Sequence, residues 1–353
     1  MSDWREIGRA LRAGALALDA APHDTEAIAA DEALRAVAEL DPIMLSGKDS
    51  AAALIELARG DAGMVLAAPG PALAGRVLAQ LGDDEQRERL RAAVAGGRTW
   101  AYLAITEPDV GSDATRLRTE LRRDTDGRYR LYGTKRYIGN GHRGTVGVVL
   151  ARTGPSPLAL RAVLLDTARA RTRPLDMLGL RGAQISELEF DGVPVEERDL
   201  LGAHLSPLRR GMWSIAQVFT AVRVQVAALA VGTAFAIHDL VADHHPSSPT
   251  LDDAHANIRA AEALVLRAAA EADHDRESAA PAASLAKLTA TGVALDVART
   301  LPRLLGPAAL VTHPLLEKWC RDVRAFEFME GTSQIQRLHA AQGIVRGSVW
   351  HAT

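Results

Sequence analysis

The hydrophobic period of this chain changes twice, and no other feature of the sequence constrains its fold so tightly. From Trp4 to about Gly97 the apolar residues recur at helical spacing: Ile7, Leu11, Leu16 and Leu18, then Leu54, Leu57, Val65 and Leu66, then Leu73, Val77 and Leu81. Within that stretch Gly82-Asp83-Asp84-Glu85 reads as a helix stop followed by the acidic first turn of a helix running from Gln86 to Ala95. After Trp100 the apolar runs become short and strand-like, at 102–105, 129–132, 146–151, 162–166 and 187–190, with Gly, Pro and Asp turns between them. From about Ser206 the helical period returns, over 212–242, 253–272, 282–301 and 334–345. The expected fold is therefore an α+β multidomain protein. It has an N-terminal α-helical domain at 1–100, a middle β domain of barrel or sandwich type at 101–205, and a C-terminal four-helix bundle at 206–353.

At 353 residues the chain is long enough for two or three domains that share a large interface. Lys+Arg 41 against Asp+Glu 44 gives a net charge of -3, so no broad basic footprint and no nucleic-acid partner is expected. The single cysteine, Cys320, rules out an intrachain disulfide and makes the reducing cytoplasm the expected compartment. With no His near it in sequence, Cys320 reads as a packing residue. The N-terminus lacks the pattern of a signal peptide, and no uninterrupted apolar run reaches bilayer-spanning length, so membrane insertion is not expected. His244 and His245 lie in a Pro/Ser segment without properly spaced partners, which reads as an exposed loop; no metal site is expected.

Chemistry concentrates near the C-terminus, in Phe328-Met329-Glu330-Gly331-Thr332-Ser333-Gln334-Ile335-Gln336-Arg337. A lone carboxylate directly before Gly-Thr-Ser-Gln, where two helical patterns meet, has two readings. Glu330 is a positioned base, or it is a solvated charge at a helix start capped by Thr332 or Ser333. Upstream, Ile105-Thr106-Glu107-Pro108-Asp109-Val110-Gly111-Ser112-Asp113 forms a sharp loop that exposes backbone N–H groups and hydroxyls, suited to an anionic or polar ring edge. Gly133-Thr134-Lys135-Arg136-Tyr137-Ile138-Gly139-Asn140-Gly141 is a strand leaving a turn with an aromatic on it.

These segments, with Gly179-Leu180-Arg181-Gly182, Phe190-Asp191-Gly192-Val193-Pro194-Val195 and Arg321-Asp322-Val323-Arg324, resemble the acyl-CoA dehydrogenase family in matching order from about residue 55 onward. The resemblance implies FAD between the β domain and the bundle, and an acyl thioester substrate carried on CoA or on a carrier protein. It implies α,β-dehydrogenation to the 2-enoyl thioester, in which Glu330 removes the α-proton and the β-hydrogen leaves as hydride to flavin N5. Position by position, Thr106 matches a flavin-ring contact, and Tyr137, Ile138 and Gly139 the segment against the flavin face. Thr332 and Gln334 match contacts to the adenosine side. Ser112, Arg223 and Gly331 match substrate contacts. Some members place the base immediately before the Arg matched by Arg223; that residue is Val222 here, which leaves Glu330 alone in the role.

Four departures qualify the resemblance. Gly139 replaces a Thr whose hydroxyl usually reaches flavin N5, and Thr220 replaces an Asp that often helps position substrate. The stretch from His244 to Asp253 lacks the usual Arg-x-x-Phe-Gly, and Arg303-Leu304-Leu305-Gly306-Pro307 replaces Gln-x-x-Gly-Gly. Both missing segments usually serve the neighbouring subunit's FAD, so the partner expectation is a homo-oligomer with a rebuilt adenine end or a hetero-oligomer with a paralogous subunit. The N-terminal region is also short, so substrate preference does not transfer. The expected electron acceptor is a flavoprotein or oxygen. Alternative functions within the fold are a flavin monooxygenase, a redox-neutral thioester lyase or isomerase, and a non-catalytic partner subunit.

Overall fold

One face of the first helix carries Leu11, Ala15 and Leu18, and that stripe seats it on the fourth helix, which is buried on nearly every side. The computed structural model describes residues 4–41, 44–111, 116–156, 159–206, 209–210, 212–245, 248–275 and 279–346. Six helices come first: α1 (Trp4–Ala20), α2 (Thr25–Ala30), α3 (Glu32–Leu40), α4 (Gly47–Ala67), α5 (Ala72–Leu81) and α6 (Asp84–Ala93). The stop-and-start read at Gly82 takes the form of a capping box. Asp83 accepts from the Gln86 N–H at 2.8 Å, and the Gln86 side chain accepts from the Asp83 N–H at 3.0 Å. Gln86 also donates to the carbonyls of Arg198 and Leu200, tying α6 to the far end of the strand region.

Seven strands follow: β1 (Ala101–Ala104), β2 (Glu120–Arg123), β3 (Tyr129–Ile138), β4 (Val146–Arg152), β5 (Leu160–Asp166), β6 (Arg171–Pro174) and β7 (Ser186–Val195). They form one sheet in the order β1-β4-β2-β3-β7-β6, with β5 on β4. β1 runs parallel to β4 and the long β3–β7 pair is antiparallel, with register shifts at Leu131/Tyr132 and Lys135/Ile138. The sheet separates two cores: one face, with Val148, Leu150 and Leu164, packs against α5, and the other encloses Leu131, Val163, Leu188 and Phe190. β2 and β6 were not among the expected strands. Their sequences, ELRR and RTRP, carry solvated charges in place of an apolar alternation.

The C-terminal helices are α7 (Met212–His244), α8 (Pro249–His274), α9 (Ala280–Thr300), α10 (Ala309–Thr312), α11 (Pro314–Phe326) and α12 (Ser333–Val345). α7, α8, α9 and α12 pack together as the expected bundle, and α11, which the period reading passed over, packs on α7 and α9. α7 over Ser214–His244 is, by length and composition, long and apolar enough to cross a membrane, but 89% of its apolar 18-residue window is buried inside the protein. It is the central core helix, with α4 lying along it. Cys320 donates to the Ala298 carbonyl at 3.5 Å, and burial pushes its thiol up to about 12, as a packing residue would show. His244 turns back onto the Leu240 carbonyl at 2.9 Å and meets His313 edge-on at 4.6 Å.

A buried knot joins the three regions. α4 is interrupted at Asp61, whose extended backbone lets its carboxylate accept from the Met64 N–H at 2.8 Å, Lys318 Nζ at 2.6 Å and Trp319 Nε1 at 2.9 Å. Lys318 also reaches Asp322 at 2.7 Å, and Asp322 accepts from the Leu180 N–H at 2.6 Å. Gly179 makes this possible, because a Cβ there would lie 2.7 Å from the Arg321 carbonyl oxygen. Burial alone would push the Lys318 ammonium down, but Asp61 and Asp322 outweigh it and hold it above its ordinary value.

Candidate active site

The end of α11 is shaped by its own carbonyls. The N–H groups of Phe328 and Met329 both turn back to the Ala325 carbonyl, at 3.0 and 3.2 Å, and the next two residues adopt left-handed conformations, Glu330 at φ 53 and Gly331 at φ 97. A left-handed Glu is strained by roughly 1–3 kcal/mol and persists only where its surroundings fix it. Two buried side chains do so here. Gln336 Nε2 donates to the carbonyls of Glu330 at 3.0 Å and Gly331 at 3.1 Å, while Lys287 Nζ donates to Gly331 at 2.7 Å and Glu327 at 3.2 Å. Glycine is required at 331, since a Cβ would lie 2.6 Å from Gln336 Nε2.

The cap of α12 differs from the helix-start reading. Thr332 occupies the N-cap position but makes no side-chain cap bond. Instead the Glu327 carboxylate accepts from the Ser333 N–H at 3.2 Å and the Ser333 hydroxyl at 2.5 Å. Glu327 serves the helix, so the Thr332 hydroxyl and Glu330 are both left out of capping.

Glu330 is partly accessible, yet protein atoms crowd its carboxylate. Desolvation raises it above the ordinary carboxylate value, opposed by the positive charges of Arg223 and then Lys287. Among the described residues no hydrogen bond or ion pair engages either carboxylate oxygen, and no backbone carbonyl takes the Glu330 N–H. Arg223 is held below its ordinary value by burial, partly offset by Glu330, and its Nε is buried without a partner. One residue earlier on α7, Val222 is 3% exposed in the apolar cluster beneath the sheet, and the Thr220 hydroxyl bonds back to the Ala216 carbonyl at 3.3 Å. Val222 is thus no rival acid, and the Thr220 hydroxyl is turned to its own helix.

The second group of residues lies on the sheet. Glu107 is buried: it pairs with Lys135 Nζ at 2.9 Å and accepts from the N–H groups of Arg118 at 2.6 Å and Thr119 at 2.8 Å. Burial pushes the Lys135 ammonium down to about 8, against the pull of Glu107. Of the loop read as a set of exposed polar groups, Glu107 is thus the internal anchor. The Thr106 carbonyl accepts from the Arg136 N–H at 2.9 Å, which sets Thr106 beside the end of β3. There Tyr137 sits at φ 63 with its ring 53% exposed, pushed out of the sheet by the register shift. Ile138 is 2% exposed and packs inside the sheet, so at this segment only its backbone and Tyr137 lie toward the open end. A Cβ on Gly139 would meet only Ile185, at 4.0 Å, so glycine leaves open space there without any demand of the backbone. Gln334 is exposed on the first turn of α12, and Ser112 lies outside the described residues.

The structure therefore gathers Arg223, Glu330, Gly331 and Thr332 at one helix junction and Thr106, Tyr137 and Gly139 at one sheet end. The two groups are linked through the loop at Leu180, which bonds Asp322 on the helix side while Gly182 accepts from Arg143 on the sheet side. Sequence reasoning missed Lys287, Gln336 and Glu327. A signal existed for one of them: Lys287 is a lone cation in the apolar stretch 282–290.

Comparison with known proteins places this geometry. Residues 102–193 match the family described as acyl-CoA dehydrogenase, middle domain, and residues 209–345 match acyl-CoA dehydrogenase, C-terminal domain. A 3-(aryl)acrylate reductase from Clostridium sporogenes is 28% identical over 312 residues, covering 83% of this chain and 81% of the relative. The fold resembles butyryl-CoA dehydrogenase from Megasphaera elsdenii, with a TM-score of 0.83, 23% identity and coverage of 98% and 97% of the two chains. It also resembles the prolyl acyl carrier protein oxidase AnaB, with a TM-score of 0.82, 22% identity and coverage of 98% and 99%.

Proposed function

The chain belongs to the acyl-CoA dehydrogenase family, and from that premise we propose that it abstracts the α-proton of an acyl thioester with Glu330 during FAD-dependent α,β-dehydrogenation. The carrying observation is a crowded carboxylate with no hydrogen-bond or ion-pair partner among the described residues, held in a left-handed turn by buried donors. An α-proton next to a thioester is far less acidic than a carboxylic acid, so a raised base and a polarised carbonyl each narrow the gap. The Glu330 N–H, which no backbone carbonyl takes among the described residues, is the donor proposed for the thioester oxygen. Arg223 keeps a positive charge close enough to oppose the desolvation that raises Glu330, without an ion pair between them among the described residues. When bound, FAD would supply the acceptor for the β-hydride.

The residues present suit that cofactor. Tyr137 and Thr106 offer an aromatic face and a hydroxyl at the open sheet end, and the Thr332 hydroxyl is not spent on its helix. Family membership implies an electron-transfer flavoprotein as acceptor. The open space at Gly139 favours a second reading in which oxygen takes that place. The short α7–α8 connection and an exposed Arg303 in the 3-10 helix Leu301–Leu305 are consistent with a partner subunit, paralogous in our reading, as the source of the missing adenine contacts; a homo-oligomer with an adenine end rebuilt around Arg303 is the alternative. A homo-oligomer that keeps stoichiometric FAD overturns the paralogous reading.

Anaerobic mixing with a panel of CoA and carrier-protein thioesters tests the main reading. The flavin is expected to bleach with one class, and Glu330→Gln to abolish bleaching while FAD stays bound. Bleaching that survives the substitution sinks Glu330 as base, and oxygen uptake coupled to product hydroxylation moves the reaction to the monooxygenase class.

A further inference from the structure

Lys287 is a buried ammonium that the reaction as described leaves unused. Resting on the reading of Glu330 as base, we propose that Lys287 is the positioning residue for that base, fixing the left-handed turn from beneath and supplying a buried positive charge that favours the ionised carboxylate. Three observations support it.

The first is location. α9 presents Ala282, Ala283, Ala286, Ala290 and Ala294 to the core, and Lys287 lies among them with no accessible surface. A neutral apolar side chain would fill that place without the desolvation cost of an ammonium, which runs to several kcal/mol. The second is the choice of partners. Among the described residues no carboxylate lies within ion-pair distance of Lys287; its two bonds go to the carbonyls of Glu327 and Gly331, which bracket the turn that presents Glu330. Gln336 already donates to the Gly331 carbonyl from α12, so hydrogen bonding alone does not require a charge there. The third is the electrostatic neighbourhood. Glu327 and Glu330 face Lys287 from the turn, Arg223 faces it from α7, and His339 on α12 feels Arg223 in turn. Burial pulls the Lys287 ammonium down to about 8, the two glutamates resist and Arg223 adds to the fall. The attraction is reciprocal: Lys287 lowers Glu330 as Glu330 raises Lys287.

The test follows exchange of the α-hydrogen of a saturated acyl thioester with deuterium oxide, across pH and without an electron acceptor, together with thermal unfolding of each variant. For Lys287→Met the acid limb of the exchange is expected to move up by about one pH unit, so that the rate at a fixed pH on that limb falls about tenfold, because a favourable charge is gone. Lys287→Arg is expected to restore the limb. If Lys287→Met does not fold, Lys287→Gln, a neutral donor, is read in the same way. An acid limb that stays at the wild-type position overturns the inference, whether or not the overall rate drops, since a purely steric support would lower all rates alike. No exchange by the wild-type holoenzyme, or exchange that survives Glu330→Gln, removes the base itself and the inference with it. Exchange that depends on Glu330 but ignores the charge at 287 removes the inference alone.

Discussion

Two sets of acid meet at α11 and the turn that follows it, Asp61 of α4 with Asp322 of α11 and then Glu330, and they are treated in opposite ways. Every carboxylate oxygen of Asp61 and Asp322 accepts a hydrogen bond, from Met64, Trp319, Lys318 or Leu180, and both residues are 0% exposed. Glu330, a short way along the same chain, accepts none among the described residues, although its turn is held at the carbonyls of Glu327, Glu330 and Gly331. Saturation turns an acid into a joint between regions, because removing any partner leaves a charge buried and unpaired. An unsaturated acid on a rigid turn stays available to a substrate proton.

The comparison breaks most sharply at Glu330. Glu330→Gln is expected to slow α-hydrogen exchange by about a hundred- to ten-thousand-fold with no loss of thermal stability; a large fall in melting temperature would put Glu330 among the structural acids. Lys318→Met is expected to do the reverse. It strands Asp61 and Asp322 and costs about 3–5 kcal/mol in chemical denaturation, with any folded fraction retaining exchange. A variant of wild-type stability would show that the knot is not the joint described.

Glycine substitutions sharpen the contrast on a smaller scale. Gly331→Ala forces a side chain into a left-handed site against Gln336 and is expected to cost about 1–3 kcal/mol in unfolding experiments.

The pH dependence has a definite sign. Glu330 is raised in the folded chain, so between its unfolded and folded values the folded state holds the extra proton, and stability falls as pH rises through that window. Glu330→Gln should therefore be at least as stable as the wild type at neutral pH, with the gap closing as pH falls below the unfolded value. Exchange runs the other way, rising as the carboxylate ionises, with a midpoint above the ordinary glutamate value. A gap that widens toward acid would contradict the raised carboxylate. The smallest effect belongs to Gly139→Ala, where a Cβ meets nothing closer than 4.0 Å; stability should change by less than about 0.5 kcal/mol.

Much of the architecture was legible because the hydrophobic period is itself a packing instruction, with 3.6 for α1 and α9 and short apolar runs for β4 and β5. It failed where charge sits in place of apolar residues. β2 and β6 carry ion-paired arginines on exposed faces, and α11 buries Lys318 and Asp322 beside Leu316, Trp319, Val323 and Phe326, which blurs its apolar stripe. Within the candidate site, Glu330 could be picked out because an acid before Gly-Thr-Ser-Gln interrupts two helices. The burial of the Ile138 side chain was not legible, because the way it turns depends on a register shift that no local pattern encodes.

The sequence by itself determined the order of helical and strand regions, the break at Glu330-Gly331 and the absence of an acid at Val222, since each is a property of residue type and spacing. Only the tertiary structure decided which acids are spent. Glu107, Asp61 and Asp322 are saturated by groups as far away in sequence as Lys135, Lys318 and Leu180, and Lys287 reaches the turn at Glu330 from another helix. Whether a carboxylate is a joint or a base depends on which donors surround it, and distant segments supply those donors only once the chain has folded.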